Sequence, residues 1–242
     1  MSVKSNSNEN LLSIVIPCKN EVTYIGRLLD SILKQNYDSS KIPIFIADAG
    51  STDGTLEVIA EYKYKLNIQV IPGGLPAKAR NNGAKMCKSE YILFIDADAE
   101  FRDPNLILKA LMHMNNSDLH CLAASIRSVS QNLVDQISMH LLTLSQFHHL
   151  IGKPFGVGIF LLFRRDMFWR LGGFSEELVI DEDRNLTKKI DRTKFGVMNG
   201  QVLTSNRRVA KMGYLNFIRF SFKVFLNQNK PEFFREHHGY WD

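Results

Sequence analysis

Along the first 114 positions, apolar residues fall into two patterns that alternate: short unbroken runs, and spacings that recur with the helical period. Leu11 to Pro17 (LLSIVIP) reads as a buried strand. Tyr24 to Gln35 then carries Ile25, Leu28, Leu29, Ile32 and Leu33 on one side of a helix. Ile42 to Ala47 is the next strand, Ser51-Thr52-Asp53-Gly54-Thr55 caps a second helix through Tyr62, and Ile68 to Ile71 is a third strand. Ala77 to Cys87 follows as a helix, Tyr91 to Ile95 as a strand, and Pro104 to Met114 as a helix with proline in its first turn. This strand–helix order predicts an α/β fold with a Rossmann-like, mostly parallel central sheet flanked by helices, and ligands outside the carboxyl ends of the strands.

Beyond Met114 the pattern is less regular. Cys121 to Val129 reads as a strand, and Leu133 to Ile151 contains an amphipathic helix. Gly156-Val157-Gly158 precedes the apolar run Ile159 to Phe163, which ends in Arg164-Arg165; glycines there let backbone approach a ligand closely. With no internal repeat and no long linker, the economical organisation is a frayed tail at 1–10, one compact domain at 11–205 with halves 11–114 and 115–205, and a helical basic, aromatic segment at 206–242.

Composition narrows the class. A chain of 242 residues with 45% hydrophobic content can bury a sizeable core. No apolar run reaches the roughly 18 residues of a membrane span. The polar start MSVKSNSNEN lacks the apolar core of a signal peptide, and Cys18, Cys87 and Cys121 lack zinc-type spacing, so a cytoplasmic protein with reduced thiols is expected. Charge is uneven: residues from Arg184 onward sum to +8 and the preceding ones to −3. Basic residues interleaved with aromatics in Gly213 to Phe225 (GYLNFIRFSFKVF) suit an anionic membrane surface or an anionic substrate, or form a solvated basic face beside a packed aromatic one. No recognised nucleic-acid-binding motif is present, so nucleic acid is not an expected partner.

The densest candidate chemistry is at the end of the Tyr91 strand, YILFIDADAE, where Asp96 and Asp98 stand one residue apart. Side chains at i and i+2 on extended backbone share a face, so one divalent cation or one ligand can be reached by both carboxylates. His140, His148 and His149 are read as ordinary helix residues rather than ligands.

Several segments, in one order, resemble the motifs of family 2 glycosyltransferases. Pro17-Cys18-Lys19-Asn20-Glu21 is similar to the family's P-x-x-N-E opening, and Asp48-Ala49-Gly50-Ser51-Thr52-Asp53-Gly54-Thr55 to its D-x-G-S-T-D-G-T segment. Ala79-Arg80-Asn81-x-Gly83 resembles A-R-N-x-G, Asp96-Ala97-Asp98 the D-x-D motif, Gly172-Gly173-Phe174-Ser175-Glu176 the G-G-F-D-E loop, and Glu182-Asp183-x-x-Leu186 the E-D-x-x-L motif. The resemblance implies a glycosyltransferase A fold and an inverting transferase that takes one hexose from a UDP- or GDP-sugar to an acceptor hydroxyl on a saccharide or lipid. Residues 11–114 would then be the nucleotide half and 115–205 the acceptor half. Ala49 and Ser175 depart from the pattern by losing acidic side chains. The Q-x-x-R-W segment of processive synthases is not found after Leu186, which favours transfer of a single sugar.

The resemblance also distributes roles. Asp98, with Asp96, would hold Mn2+ or Mg2+ at the departing diphosphate, and Asp183 would be the base, although its neighbours Asp181 and Glu182 are carboxylates as well. Pro17, Asn20, Glu21, Asp48, Arg80, Asp96, Ala97 and Asp98 would line the nucleotide-sugar site, with Asp48 serving the base or simply a turn. Arg80 would either approach the donor or pair with an acidic neighbour. Gly158, Gly173, Phe174 and Glu182 would form the acceptor or donor-sugar pocket. Arg207 and Arg208 either bind phosphate or form a basic turn. Two other readings are a non-catalytic nucleotide-sugar scaffold and a sugar nucleotidyltransferase; the glycine-rich triphosphate loop that the latter needs is not seen after the first strand. Peripheral attachment to the cytoplasmic face of a membrane is a further expectation, drawn from the basic C-terminal segment.

Overall fold

Strand β1 (Leu12–Cys18) is apolar at almost every position because both of its faces are covered. Ile14 and Ile16 join the core beneath helices α1 (Ile25–Leu33) and α4 (Leu106–Asn116), whereas Val15 points into a second core on the opposite face. A computed structural model describes residues 11–227 and 230–237; the expected tail at 1–10 lies outside the described residues.

Four strands build the first half. β1 lies between β2 (Ile44–Asp48) and β4 (Tyr91–Ile95), β3 (Ile68–Pro72) lies outside β2, and all four run parallel. Helices α1, α2 (Thr55–Tyr62) and α3 (Pro76–Met86) make the crossovers. The expected strand–helix alternation is therefore present, with ends shifted by at most two residues. One detail differs: Pro104 precedes α4 instead of sitting in its first turn, and its carbonyl accepts from the Asn36 amide at 2.7 Å.

The sheet continues past β4 to eight strands in the order β3-β2-β1-β4-β7-β6-β8-β5. β6 (Cys121–Ser128) and β7 (Phe160–Arg164) match the expected runs, and β7 enters antiparallel to both β4 and β6. Two strands have no counterpart in the sequence reading. β5 (Ala99–Phe101) has three residues and starts directly after the Asp96-to-Asp98 turn; β8 (Phe195–Thr204) alternates apolar residues with Gly196, Asn199, Gly200 and Gln201, which are poor strand formers. β5 closes the sheet edge against β8, and its Phe101 amide reaches the Ser31 hydroxyl at 3.1 Å.

The remaining helices are α5 (Leu133–Gln146), α6 (Arg165–Arg170), α7 (Glu182–Thr187), α8 (Arg207–Met212), α9 (Tyr214–Leu226) and α10 (Pro231–Arg235). Beside β4 and β7, Phe94 is ringed by Phe163, Phe168 and Phe174 at centroid distances of 4.9–6.1 Å, which fixes α6 and the Gly173-Phe174 loop on the sheet.

Helix α3 packs on β1 so closely that a Cβ at Gly83 would lie 2.3 Å from Val15 Cγ1, inside a fully buried core. Gly83→Ala gains about 1 kcal/mol of helix propensity but overpacks a stiff β-branched neighbour, an effect of about 1–3 kcal/mol. We expect a net loss of up to about 2 kcal/mol in urea denaturation, whereas Lys85→Ala, exposed on the same helix, leaves the midpoint unchanged.

Candidate functional site

The carboxyl ends of β1, β2 and β4 open on the same side of the sheet, and α3 delivers Arg80 there. Arg80 is 3% exposed. Its Nη1 donates to Glu182 Oε1 at 2.5 Å and its Nη2 to Asp96 Oδ1 at 2.7 Å, while the guanidinium lies over the Phe174 ring at 5.5 Å. Burial alone would push protons off Arg80, but Asp96, Glu182 and Asp183 more than offset that and hold it charged. Of the two roles the sequence leaves open for Arg80, the structure displays the ion pairs.

Next to it, Asn81 binds the Gly172-to-Glu176 loop. Its amide nitrogen donates to the Phe174 carbonyl at 2.8 Å and to Glu176 at 2.9 Å, and its oxygen accepts from the Phe174 amide at 3.0 Å. Gly172 and Gly173 have positive φ angles of 89° and 66°, which glycine supplies without strain. Phe174 and Glu182 are buried beneath the site, where they support Arg80.

The acidic triplet at the start of α7 is divided among three environments. Asp181, in left-handed backbone with φ 67°, is paired with Arg184 Nε at 2.7 Å. Glu182 is paired with Arg80. Asp183 is held by backbone instead: the Gly158 amide donates to Oδ2 and the Arg184 amide to Oδ1, each at 2.7 Å. Among the described residues neither of its oxygens joins an ion pair. A Cβ at position 158 would fall 2.6 Å from Arg80 Nη2 and 3.4 Å from Asp183 Oδ2, so only glycine lets this strand entry pass between them. Burial raises the pKa of all three acids. For Asp181 the value reaches about 6, with Asp183 adding to the rise and Arg184 opposing it. For Glu182 burial and then Asp183 raise it against the pull of Arg80. For Asp183 burial dominates over the amide of Gly158, the charge of Arg80 and the amide of Arg184.

Two loops are zipped together at the other end of the site. Asn20, with φ 55°, accepts from the Thr52 amide and donates its own amide to the Ser51 hydroxyl, both at 2.9 Å. Asp53 accepts from the Val22 amide at 3.1 Å and from the Thr55 hydroxyl at 2.5 Å. Asp48 accepts from the Gly50 amide at 2.9 Å, the Ser51 amide at 3.0 Å and the Ser51 hydroxyl at 2.5 Å. A carboxylate has about four acceptor positions, so Asp48 serves the turn and retains capacity for one more donor. Pro17, next to last in β1, is half-buried, and Ala97 is buried between the two aspartates.

The start of α8 folds back onto this end. Arg207 pairs with Glu21 and stacks over the Tyr24 ring at 5.3 Å. Glu21 is buried, its Oε2 has no hydrogen-bond partner, and burial pushes its carboxyl up to about 7 against the pull of Arg207. Asp98 accepts from the Thr204 hydroxyl at 3.3 Å and from the Ser205 hydroxyl. The side chain of Arg208 lies outside the described residues. Thr204, Ser205, Asn81 and Arg184 are supports that carry no recognisable chemical signature of their own, although Asn81 belongs to the A-R-N-x-G segment and Ser205 opens the Ser205-Asn206-Arg207-Arg208 segment.

Among the described residues no three His, Cys, Asp or Glu side chains gather into a metal-holding group. His140 contacts Arg127, His148 the Lys153 carbonyl and His149 the Gln146 carbonyl, so all three serve α5 and its continuation. Asp96 and Asp98 offer hard carboxylate oxygens, which fit a Mg2+- or Mn2+-type ion bound through one or two carboxylates together with ligand phosphates.

Comparison with known proteins agrees with this geometry. Residues 13–172 match the family described as Glycosyl transferase family 2. The poly(ribitol-phosphate) beta-N-acetylglucosaminyltransferase TarS of Staphylococcus aureus is 36% identical over 90 residues, covering 36% of this chain and 16% of that protein. An uncharacterized glycosyltransferase of Rickettsia typhi is 29% identical over 218 residues, covering 85% of this chain and 66% of the relative. The chain thus spans about a sixth of the TarS sequence. Among solved structures, TarS 1–349 in complex with UDP superposes with a TM-score of 0.64 at 23% identity, over 80% of this chain and 60% of that one. The mannosyltransferase PcManGT from Pyrobaculum calidifontis, in complex with GDP-Man and Mn2+, gives 0.65 at 20% identity, over 83% and 57%. Those likenesses establish the glycosyltransferase A fold. With the family's sequence pattern matched over more than half of its length, the chain belongs to glycosyl transferase family 2.

Proposed function

We propose that the chain transfers a single sugar, with inversion, from a nucleoside-diphosphate donor to an acceptor hydroxyl. The observation that carries this reading is the placement of Asp183: backbone amides hold its carboxylate at the Gly158 strand entry, beside the same buried Arg80 whose other side is bonded to Asp96. The base and a donor-side carboxylate would thus flank one guanidinium. The solved relatives hold UDP, UDP-GlcNAc and GDP-Man, which supports a UDP- or GDP-sugar donor here.

In the proposed step the acceptor oxygen bonds to the anomeric carbon as the bond from that carbon to the diphosphate oxygen breaks, and the acceptor proton moves to Asp183. Asp98 and Asp96 would hold Mn2+ or Mg2+, which supplies positive charge to the departing diphosphate. Asn20 and Asp48 shape the loops at the β1 and β2 ends where the nucleotide would lie, and Arg207 adds positive charge beside them. Inversion follows from a single displacement, with the base on the face opposite the leaving group. The acceptor is a saccharide or a lipid-linked group.

Removing the base while keeping its shape tests the assignment. Asp183→Asn is expected to retain nucleotide binding and to lower turnover by about two to four orders of magnitude; a fully active variant would exclude Asp183 as base. The wild-type rate has a predicted pH signature as well. A protonated Asp183 cannot accept a proton, and its pKa is raised, so kcat falls on acidification with an inflection above the ordinary aspartate value of about 3.9. An acid limb at or below that value would contradict the buried setting described here.

A further inference from the structure

Helix α5 is built inside out. Its inward positions are Asp135, Met139, Thr143 and Gln146, and the 3-10 turn that follows adds His149. The polar ones serve strand β6 and its surroundings. β6 outruns its pairing with β7 after Ala123 and carries a register shift between Ala124 and Ile126. Thr143 Oγ1 accepts from the Ile126 amide at 2.8 Å and donates to its carbonyl at 3.1 Å, and Gln146 donates to the Ala124 carbonyl at 3.0 Å. These bonds satisfy strand groups that would otherwise be orphaned.

The outward side is apolar. Leu133, Ile137, Leu141 and Leu144 recur at helical spacing, and Leu150 and Ile151 extend the stripe. Leu133 is 72% exposed, Leu141 59% and Ile151 82%. Ordinary surface leucines occur singly; a continuous stripe of this kind marks a covered surface.

Charge around the stripe identifies the cover. Between Val129 and Lys153 the only carboxylate is Asp135, which is buried and accepts from the Tyr214 hydroxyl at 2.8 Å. That bond ties the start of α9 to the start of α5. The outward side of α9 mixes Leu215, Phe222 and Leu226 with Arg219 and Lys223, while Phe220 and Val224 pack on Leu178, Val179, Ile180 and Phe234. From Arg207 to Asn227 there are five basic residues and no acidic one. Within these two segments apolar side chains are flanked by cations without an exposed carboxylate, which complements an anionic lipid surface; a second copy of this chain would set basic face against basic face. No helix among the described residues is long and apolar enough to cross a membrane. We propose that the outward faces of α5 and α9 together form a docking surface for an anionic membrane, with the α5 side chains entering the headgroup boundary.

This surface stands apart from the transfer chemistry but is connected to it. Gln146 Oε1 accepts from the Val157 amide at 3.4 Å, one residue before the Gly158 that holds Asp183. Insofar as the proposed transfer holds, a lipid-borne acceptor would approach from the base side.

Flotation of the full chain with phosphatidylcholine vesicles, with and without phosphatidylglycerol, tests the proposal without requiring any turnover. The chain is expected to float with the anionic vesicles at low salt and to be released as salt rises. The double variant Ile137→Glu/Leu141→Glu should bind about tenfold more weakly while keeping the wild-type melting temperature, since both side chains are exposed. Arg219→Gln/Lys223→Gln should lose the preference for anionic over neutral vesicles. Failure of the wild type to float, equal binding to both vesicle types, or a dimer in gel filtration that Ile137→Glu/Leu141→Glu splits would overturn it.

Discussion

A guanidinium sealed inside a protein is tolerated only when carboxylates and hydrogen bonds replace its water, and Arg80 imposes that condition on this fold. Its two bonds reach Asp96, one residue past the end of β4, and Glu182, the first residue of α7. One cation therefore fixes the donor-side turn and the base-bearing helix relative to each other. Breaking a buried pair of this kind typically costs about 3–5 kcal/mol, so the arrangement holds its shape before any ligand arrives. The close seat of α3 on β1 at Gly83, the glycine at 158 and the Asn81 clamp on the Phe174 loop all serve to hold this cation in place.

The same constraint explains how three adjacent acids acquire different chemistry. Asp181 and Glu182 each have an arginine, whereas Asp183 is held by neutral amides at the start of α7. A carboxylate has about four acceptor positions, so Asp183, with one amide on each oxygen and no guanidinium partner among the described residues, keeps room for a further donor. Burial raises the pKa of all three against the pull of the neighbouring cations, so the partners of each carboxylate, rather than its basicity, set them apart.

The first half of the sheet was legible in the sequence because strands covered on both faces leave near-continuous apolar runs, as in Leu11 to Pro17, and amphipathic helices leave a period, as in Ile25 to Leu33. β5 and β8 were not legible. Three residues are too few to show alternation, and β8 carries Gly, Asn and Gln where its register is irregular. The motif residues could be named from sequence, but their partners could not: Arg80 and Glu182 are 102 positions apart, and Glu21 and Arg207 are 186 apart. Helix α5 was recognisable as amphipathic, but only the bonds from Thr143 and Gln146 to β6 show that its polar side faces in.

On this reading a nucleoside diphosphate binds beside Arg80, at the Asp96 and Asp98 end of the site. Isothermal titration of the purified chain with UDP, GDP and dTDP, each with and without manganese, tests it most directly. One of these nucleotides should bind saturably, and its binding should weaken sharply when manganese is withheld. Absence of binding by all three in both conditions would contradict it.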